Sequence, residues 1–291
     1  MLGRWTRTLT WSAIVLAGLA SAWFALAACT TLVAPREPSL AQAPAAATEA
    51  FPYDALDALL RQHVDARGNV DYAALRANPD PLEHIYAHLA AVAPDSHPER
   101  FPDEASRLAY WLNAYNATVL LSVTRLYPID SVRDVGVPWY LFFLPDTAGF
   151  FYVRKHVFGG NAHSLYDVEN NIVRQRFGEP RIHFALNCAS AGCPRLPREA
   201  FRPATLDAQL ERETRRFFGE PRNLAIDDER RTVRLSQILE WYRDDFESPL
   251  LDYTATYAPP PTRDALRGRA SGYAIEFAPY DWRLNDRGLQ R

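Results

Sequence analysis

The chain reads as a single α+β domain, with helices packed on a small, mainly antiparallel sheet. Three observations predict it. Helical and strand-like periodicities alternate irregularly, without the strand–helix–strand rhythm of a parallel sheet. After one Ala/Pro-rich stretch near the N-terminus there is no further linker, repeat or low-complexity segment. With 291 residues, 48% apolar and 23% charged, the chain is long enough to bury one core without staples.

Residues 1–28 stand outside that domain. Arg4 and Arg7 precede an apolar run from Leu9 to Leu26, interrupted only by Thr10, Ser12 and Ser21, which then meets Leu26-Ala27-Ala28-Cys29. A basic start, an apolar stretch and small residues before a cut mark a secretory signal. Leu-Ala-Ala-Cys resembles the lipobox of bacterial lipoproteins, which implies cleavage before Cys29 and acylation of Cys29. An uncleaved anchor is the alternative, because about 18 apolar residues reach the lower limit for a span. Either way the remainder is expected to be exported and seated on a lipid bilayer. Two or more acyl chains make such anchoring stable. Thr30 stands where an aspartate signals inner-membrane retention in many Gram-negative bacteria, so the periplasmic face of the outer membrane is the expected address. Residues 29–50 then form an anchored tether, with a reach on the order of 25 Å, and the domain occupies 51–291.

The net charge is −3, and Lys155 is the only lysine among 32 basic residues, a codon bias of a GC-rich genome. Without a polybasic patch, nucleic acid is not an expected partner.

The elements follow in order. Leu56, Leu59, Leu60 and Val64 share one face of a helix over 54–64; Gly68 ends it, and 69–75 reads as a short strand or turn. A second amphipathic helix covers 81–92. Its His84 and His88 have a chelating i, i+4 spacing without an acidic or cysteine partner nearby, so they read as an exposed helical face. The stretch 103–127 is apolar nearly all round, the mark of a buried helix. Its Asn113 and Asn116 must then find hydrogen-bond partners, either pinning loops or lining a site. A strand is expected over 150–158. After Gly159 and Gly160, Ser164 caps a helix with Asp167 and Glu169 in its first turns, ended by Gly178 and Pro180. Residues 182–186 read as a strand, 206–218 as a helix, and 223–226 with 232–235 as a hairpin. Ser236 caps another helix, and 274–277 is a last strand.

Five segments stand out: YWLNAYNA (110–117), HSLYDVENNIVR (163–174), RIHFALNCASAGCP (181–194), LSQILEWYRDDF (235–246) and YDWRLN (280–285). Together and in this order they resemble the domain-of-unknown-function 547 family, over about 51–285. The resemblance implies one α+β domain, often on exported bacterial proteins, with the Asn187-Cys188 motif as a hallmark. It also implies that members in plants commonly keep a cysteine at Cys188 but carry serine at Cys193, so that the family does not need the first cysteine for a disulfide.

The cysteine loop supports two chemistries equally. Cys188 follows an expected strand among small residues, where a thiol is accessible and free backbone N–H groups can serve an oxyanion. Along an extended strand His183 and Cys188 face opposite ways, roughly 16 Å apart. His163, just before a helix N-terminus that disfavours imidazolium, is the better base. Glu169 or Asp167 then orients the imidazole, and Asn113 is a candidate amide, in a papain- or transglutaminase-like constellation. The chain order His163 before Cys188 departs from those enzymes, although triads do recur in different orders. His183, Asn116, Asn187 and Cys193 complete the expected pocket. In the second chemistry Cys188 and Cys193 close a disulfide, which an oxidising periplasm permits. A C-x4-C zinc site is disfavoured by its spacing, and no cofactor is implied. The functional alternatives are therefore a thiol-dependent hydrolase or acyltransferase on an envelope amide or ester, and a non-catalytic binding or scaffold protein with a structural bridge.

Overall fold

The computed structural model describes residues 30–36, 50–246 and 249–289. The expected signal segment and Cys29 lie outside the described residues. Four helices come first: α1 Tyr53–His63, α2 Tyr72–Ala77, α3 Asp80–Ala91 and α4 Glu104–Leu126. The spine is α4. Asp103 caps it, accepting from Ser106 N at 2.7 Å while the Ser106 hydroxyl returns toward Asp103 N. Every residue from Leu108 to Thr124 is buried, as the all-round apolar pattern predicts. The expected strand or turn at 69–75 is instead the start of α2, because the Asp71 carboxylate accepts from Ala74 N at 3.0 Å and caps a helix there.

The domain is α+β as expected, although its helices pack with two small three-stranded sheets rather than with a single, mainly antiparallel one. The first holds β1 Thr31–Val33, β2 Arg154–Phe158 and β3 Asn161–Ser164 in that order. Strand β1 runs parallel to β2, and β2 antiparallel to β3 with His156 opposite His163. The second holds β4 Leu224–Asp227, β5 Thr232–Ser236 and β6 Ala274–Ala278. It pairs the expected β4–β5 hairpin with a parallel β6. Both sheets are mixed because a segment distant in sequence returns to add a parallel edge strand. One of these, β1, falls inside the stretch read as a featureless tether. Val33 is buried there, its carbonyl accepts from the Tyr86 hydroxyl, and the Ala34 carbonyl accepts from Arg125 at 3.0 Å.

Before β2 the chain winds into α5 Ala148–Phe151, and after β3 comes a helix running from Leu165 to Phe177, whose central turns Asp167–Arg174 are π-wound. Ser164 and Asp167 cap that helix reciprocally, as expected. The expected strand at 150–158 shrinks to β2, since 148–151 winds into α5. The expected strand at 182–186 is a 3₁₀ helix, Pro180–Phe184. Proline at its first position and the Glu179 carboxylate accepting from Arg181 N start the winding. The chain ends with α6 Leu206–Phe218, α7 Ile238–Trp241, α8 Leu250–Tyr257 and α9 Pro260–Arg267 around the second sheet.

The core has two lobes. Ile182, Ala185 and Leu186 pack into the larger, built on α1 to α4; Phe184 packs into the smaller, with Phe217, Phe218, Leu235 and Leu239. Segment 180–186 is thus the seam between them. Among the described residues no helix is long and apolar enough to cross a membrane.

Candidate functional site

A cleft of about 410 Å³ opens at this seam. Tyr115 of α4, Glu169, Asn170 and Arg174 of the π-wound turns, His183, both cysteines, Trp241 and Tyr242, and Tyr280 with Trp282 all line it. These residues come from all five of the sequence segments singled out above.

The cysteine loop forms one wall, and its shape is fixed by amides. Asn116 donates to the Ala185 carbonyl and accepts from Asn187 N, both at 2.9 Å. The Asn187 side chain clasps both ends of the loop, donating to the Pro194 carbonyl at 2.7 Å and accepting from Ala189 N at 2.9 Å. Ala189 is held at φ +64°, a left-handed conformation rare for a non-glycine residue. Backbone pairing to the C-terminal segment, through Ala191 N to Arg283 O and Gly192 N to Asp281 O, brings Tyr280 against the loop. A Cβ at Gly192 would sit 3.0 Å from the Tyr280 ring, which is why glycine stands there. Cys188 and Cys193 are joined in a disulfide.

Aromatic rings supply most of the remaining wall. Trp241, Tyr280 and Trp282 cluster with centroids 4.7–5.8 Å apart, and Tyr152 stacks on Tyr166 at 4.3 Å. Glu169 sits among them. Its carboxylate accepts from Tyr115 at 3.0 Å and from Tyr242 at 2.5 Å. Burial, and next the Glu169 charge, push both phenols well above the ordinary tyrosine range, so they stay neutral donors. Burial raises Tyr280 likewise. Arg174 makes a bidentate pair with Asp245, both contacts at 2.7 Å, and donates to Asn170 Oδ1. Its guanidinium lies 4.9 Å from the Tyr242 centroid. His183 stacks on Tyr242 at 4.0 Å and meets Asp245 through Nε2 at 2.6 Å. That hydrogen bond, reinforced by Arg174, holds the Asp245 carboxyl well below its usual range.

The structure therefore gathers Glu169, His183, Cys188 and Cys193 on one cleft, with Asn116 and Asn187 bracing it from behind. It does not bring His163 or Asn113 there. His163 lies half-buried on β3 beside Trp111 and Phe158, its basicity lowered by burial while Asp167 and Asp95 act the other way. Asn113 pins Phe201 instead, donating to its carbonyl at 2.7 Å and accepting from its N–H at 2.9 Å. The strand geometry that separated His183 from Cys188 does not apply, because 180–184 is wound. Sequence reasoning passed over Tyr115, Arg174, Trp241, Tyr242, Asp245, Tyr280 and Trp282. The available signal was their membership in the five segments, which no single-motif reading exploits.

Chemically, the cleft offers π faces and hydrogen-bond acceptors. Its tyrosine donors at Glu169 are committed, and Arg174 is neutralised by Asp245. Among the described residues no group of three or more His, Cys, Asp or Glu is placed to hold a metal ion.

The family described as "Protein of unknown function, DUF547" matches residues 99–218 of the chain. The match takes in the first three segments, while 235–246 and 280–285 lie beyond it. No curated protein and no solved structure matches the chain.

Proposed function

We propose that the protein is a ligand-binding protein of the bacterial cell envelope, anchored through acylated Cys29, and that its cleft takes a small organic cation. The observation that carries this reading is the setting of Glu169. Its carboxylate is fixed by two neutral phenols among aromatic rings, and among the described residues it has no ion-pair partner, Arg174 being spent on Asp245. A cation is attracted both to a carboxylate of this kind and to the faces of Trp and Tyr, more strongly where water is excluded. The disulfide supports binding over thiol catalysis, since a bridged Cys188 has no thiolate to attack with.

One observation favours thiol chemistry as a second reading. His183, oriented by Asp245, lines the same cleft as Cys188, so reduction of the bridge yields a nucleophile, an imidazole and its orienting carboxylate together. This replaces the expected His163 with His183.

The test is a tryptophan-emission titration of the full-length protein in detergent, with choline and with its neutral isostere 3,3-dimethylbutan-1-ol. Choline should quench saturably and bind at least about tenfold more tightly than the alcohol. Glu169→Gln, which keeps the shape, should narrow the difference severalfold, leaving only the preference that the aromatic faces supply. Equal affinities sink the cation reading. Alkylation followed by intact mass measurement separates the alternatives: two labelled thiols in native protein would favour catalysis.

A further inference from the structure

We propose that the aromatic segment 139–143 is a lipid-surface contact, which seats the domain on the bilayer beside its own N-terminal end. Trp139 is 84%, Phe142 81% and Phe143 69% exposed, with Tyr140 at 43%. Single exposed apolar residues are ordinary, but four bulky ones side by side mark an interaction surface. Tryptophan and tyrosine are the residues that settle at a membrane–water boundary.

The segment is built to display these rings. Leu141 alone turns inward, buried with Val153 and packed by Val137 and Leu144. Pro138 opens a 3₁₀ turn closed by Leu141 N donating to the Pro138 carbonyl at 2.8 Å, and Leu144 N donates to the Leu141 carbonyl at 2.9 Å. Arg133 and Asp146 pair across the base of the loop. Behind it Gly149 packs so closely on the Val135 and Gly136 carbonyls that a side chain there would collide with them. An inward leucine under outward rings on a braced loop is a presented surface.

The place where the chain enters the domain identifies the occupant. Thr31 N donates to the Val153 carbonyl at 2.9 Å, and Val153 is the residue on which Leu141 packs. The described chain therefore enters the domain next to the aromatic loop, two residues after Cys29 in the sequence. The next residue, Leu32, is 59% exposed on β1 and paired with Lys155. A bilayer holding the N-terminal end lies within reach of these rings, and a Lys or Arg beside it suits an anionic leaflet. The contact also places the cleft, because Thr147 and Phe151 on its rim directly follow the loop and Arg133 lies 5.7 Å from the Trp282 ring.

The test uses full-length protein reconstituted in vesicles of phosphatidylethanolamine and phosphatidylglycerol, with and without dibrominated acyl chains. Comparison with Trp139→Ala isolates one ring among the tryptophans that follow Cys29, the others being Trp111, Trp241 and Trp282. Brominated chains should quench the wild type more than the variant, and the difference spectrum should be blue-shifted. A Phe142→Ser, Phe143→Ser double variant, altered only at exposed positions, should lower Trp139 quenching by about half or more. Equal fractional quenching with and without Trp139 overturns the proposal. A blue-shifted ring that bromine does not quench also overturns it, in favour of a protein occupant. The intact mass of the same sample reports acylation of Cys29 separately. Quenching without acylation would keep the contact and remove the lipid anchor.

Discussion

Tyr280 places its hydroxyl 3.0 Å from the sulfur of Cys188 and 3.0 Å from that of Cys193, so one phenol covers the whole bridge. The bridge closes a loop of sequence separation 5. A loop this short restrains little unfolded-state entropy, and replacing both cysteines by serine should cost about 2 kcal/mol at most. A urea titration measures that loss. Choline should still quench tryptophan emission in the folded double variant, because Glu169 and the rings stay in place.

Removing Asp245 should expose a pH-dependent contribution. His183 and then Arg174 depress its folded-state value, so the carboxylate stabilises the fold above about pH 4 and loses that contribution as pH falls below it. Asp245→Asn should cost about 2 kcal/mol at neutral pH, the scale of charged hydrogen bonds. The gap to wild type should narrow as pH is lowered from about 5 to about 2. Urea midpoints across that window check both.

His156 acts in a different window. Burial, with Arg154 and Arg125 adding to it, lowers its value to about 3. A base whose folded value is depressed stabilises above its unfolded value of about 6.5, and that stability is lost as pH falls toward 3. The slope should approach about 1.4 kcal/mol per pH unit. His156→Leu should flatten the stability profile between about pH 6 and pH 4, leaving the Asp245 limb below it.

Asn116→Ala should be the most damaging of these changes. It strands the Ala185 carbonyl and the Asn187 N–H, both in buried residues, at a cost of about 3 kcal/mol. Thermal unfolding measures the cost. Choline binding should weaken with it, because Asn187 sets the loop whose backbone pairing to Asp281 and Arg283 holds Tyr280 in the cleft wall.

The helices were legible because their signals are local and repeated. The all-round apolar pattern of α4, the Ser164–Asp167 cap and the β4–β5 hairpin can each be read within a dozen residues. The 3₁₀ turn at 180–184 was not. Ile182 and Phe184 alternate with polar residues as a strand would, but they alternate because they serve two different core lobes. β1 was hidden because three residues carry no period and their partner lies over a hundred positions away. In the site, Glu169, His183 and the cysteine pair were named from the sequence. The aromatic walls and Asp245 were not, since a tyrosine that packs and one that lines a cleft look alike until the chain is folded.

The π-wound turns Asp167–Arg174 give the site a register that a shorter helix would not share. Such turns carry one residue more than the α-helix they interrupt. Deleting one position between Val168 and Val173 would let the helix relax to ordinary winding while turning Arg174 by about 100° relative to Glu169. The result would be a better helix and a dismantled cleft. A helix wound for stability alone would lack that extra residue; here the wider turns let Glu169 and Arg174 line one cleft together.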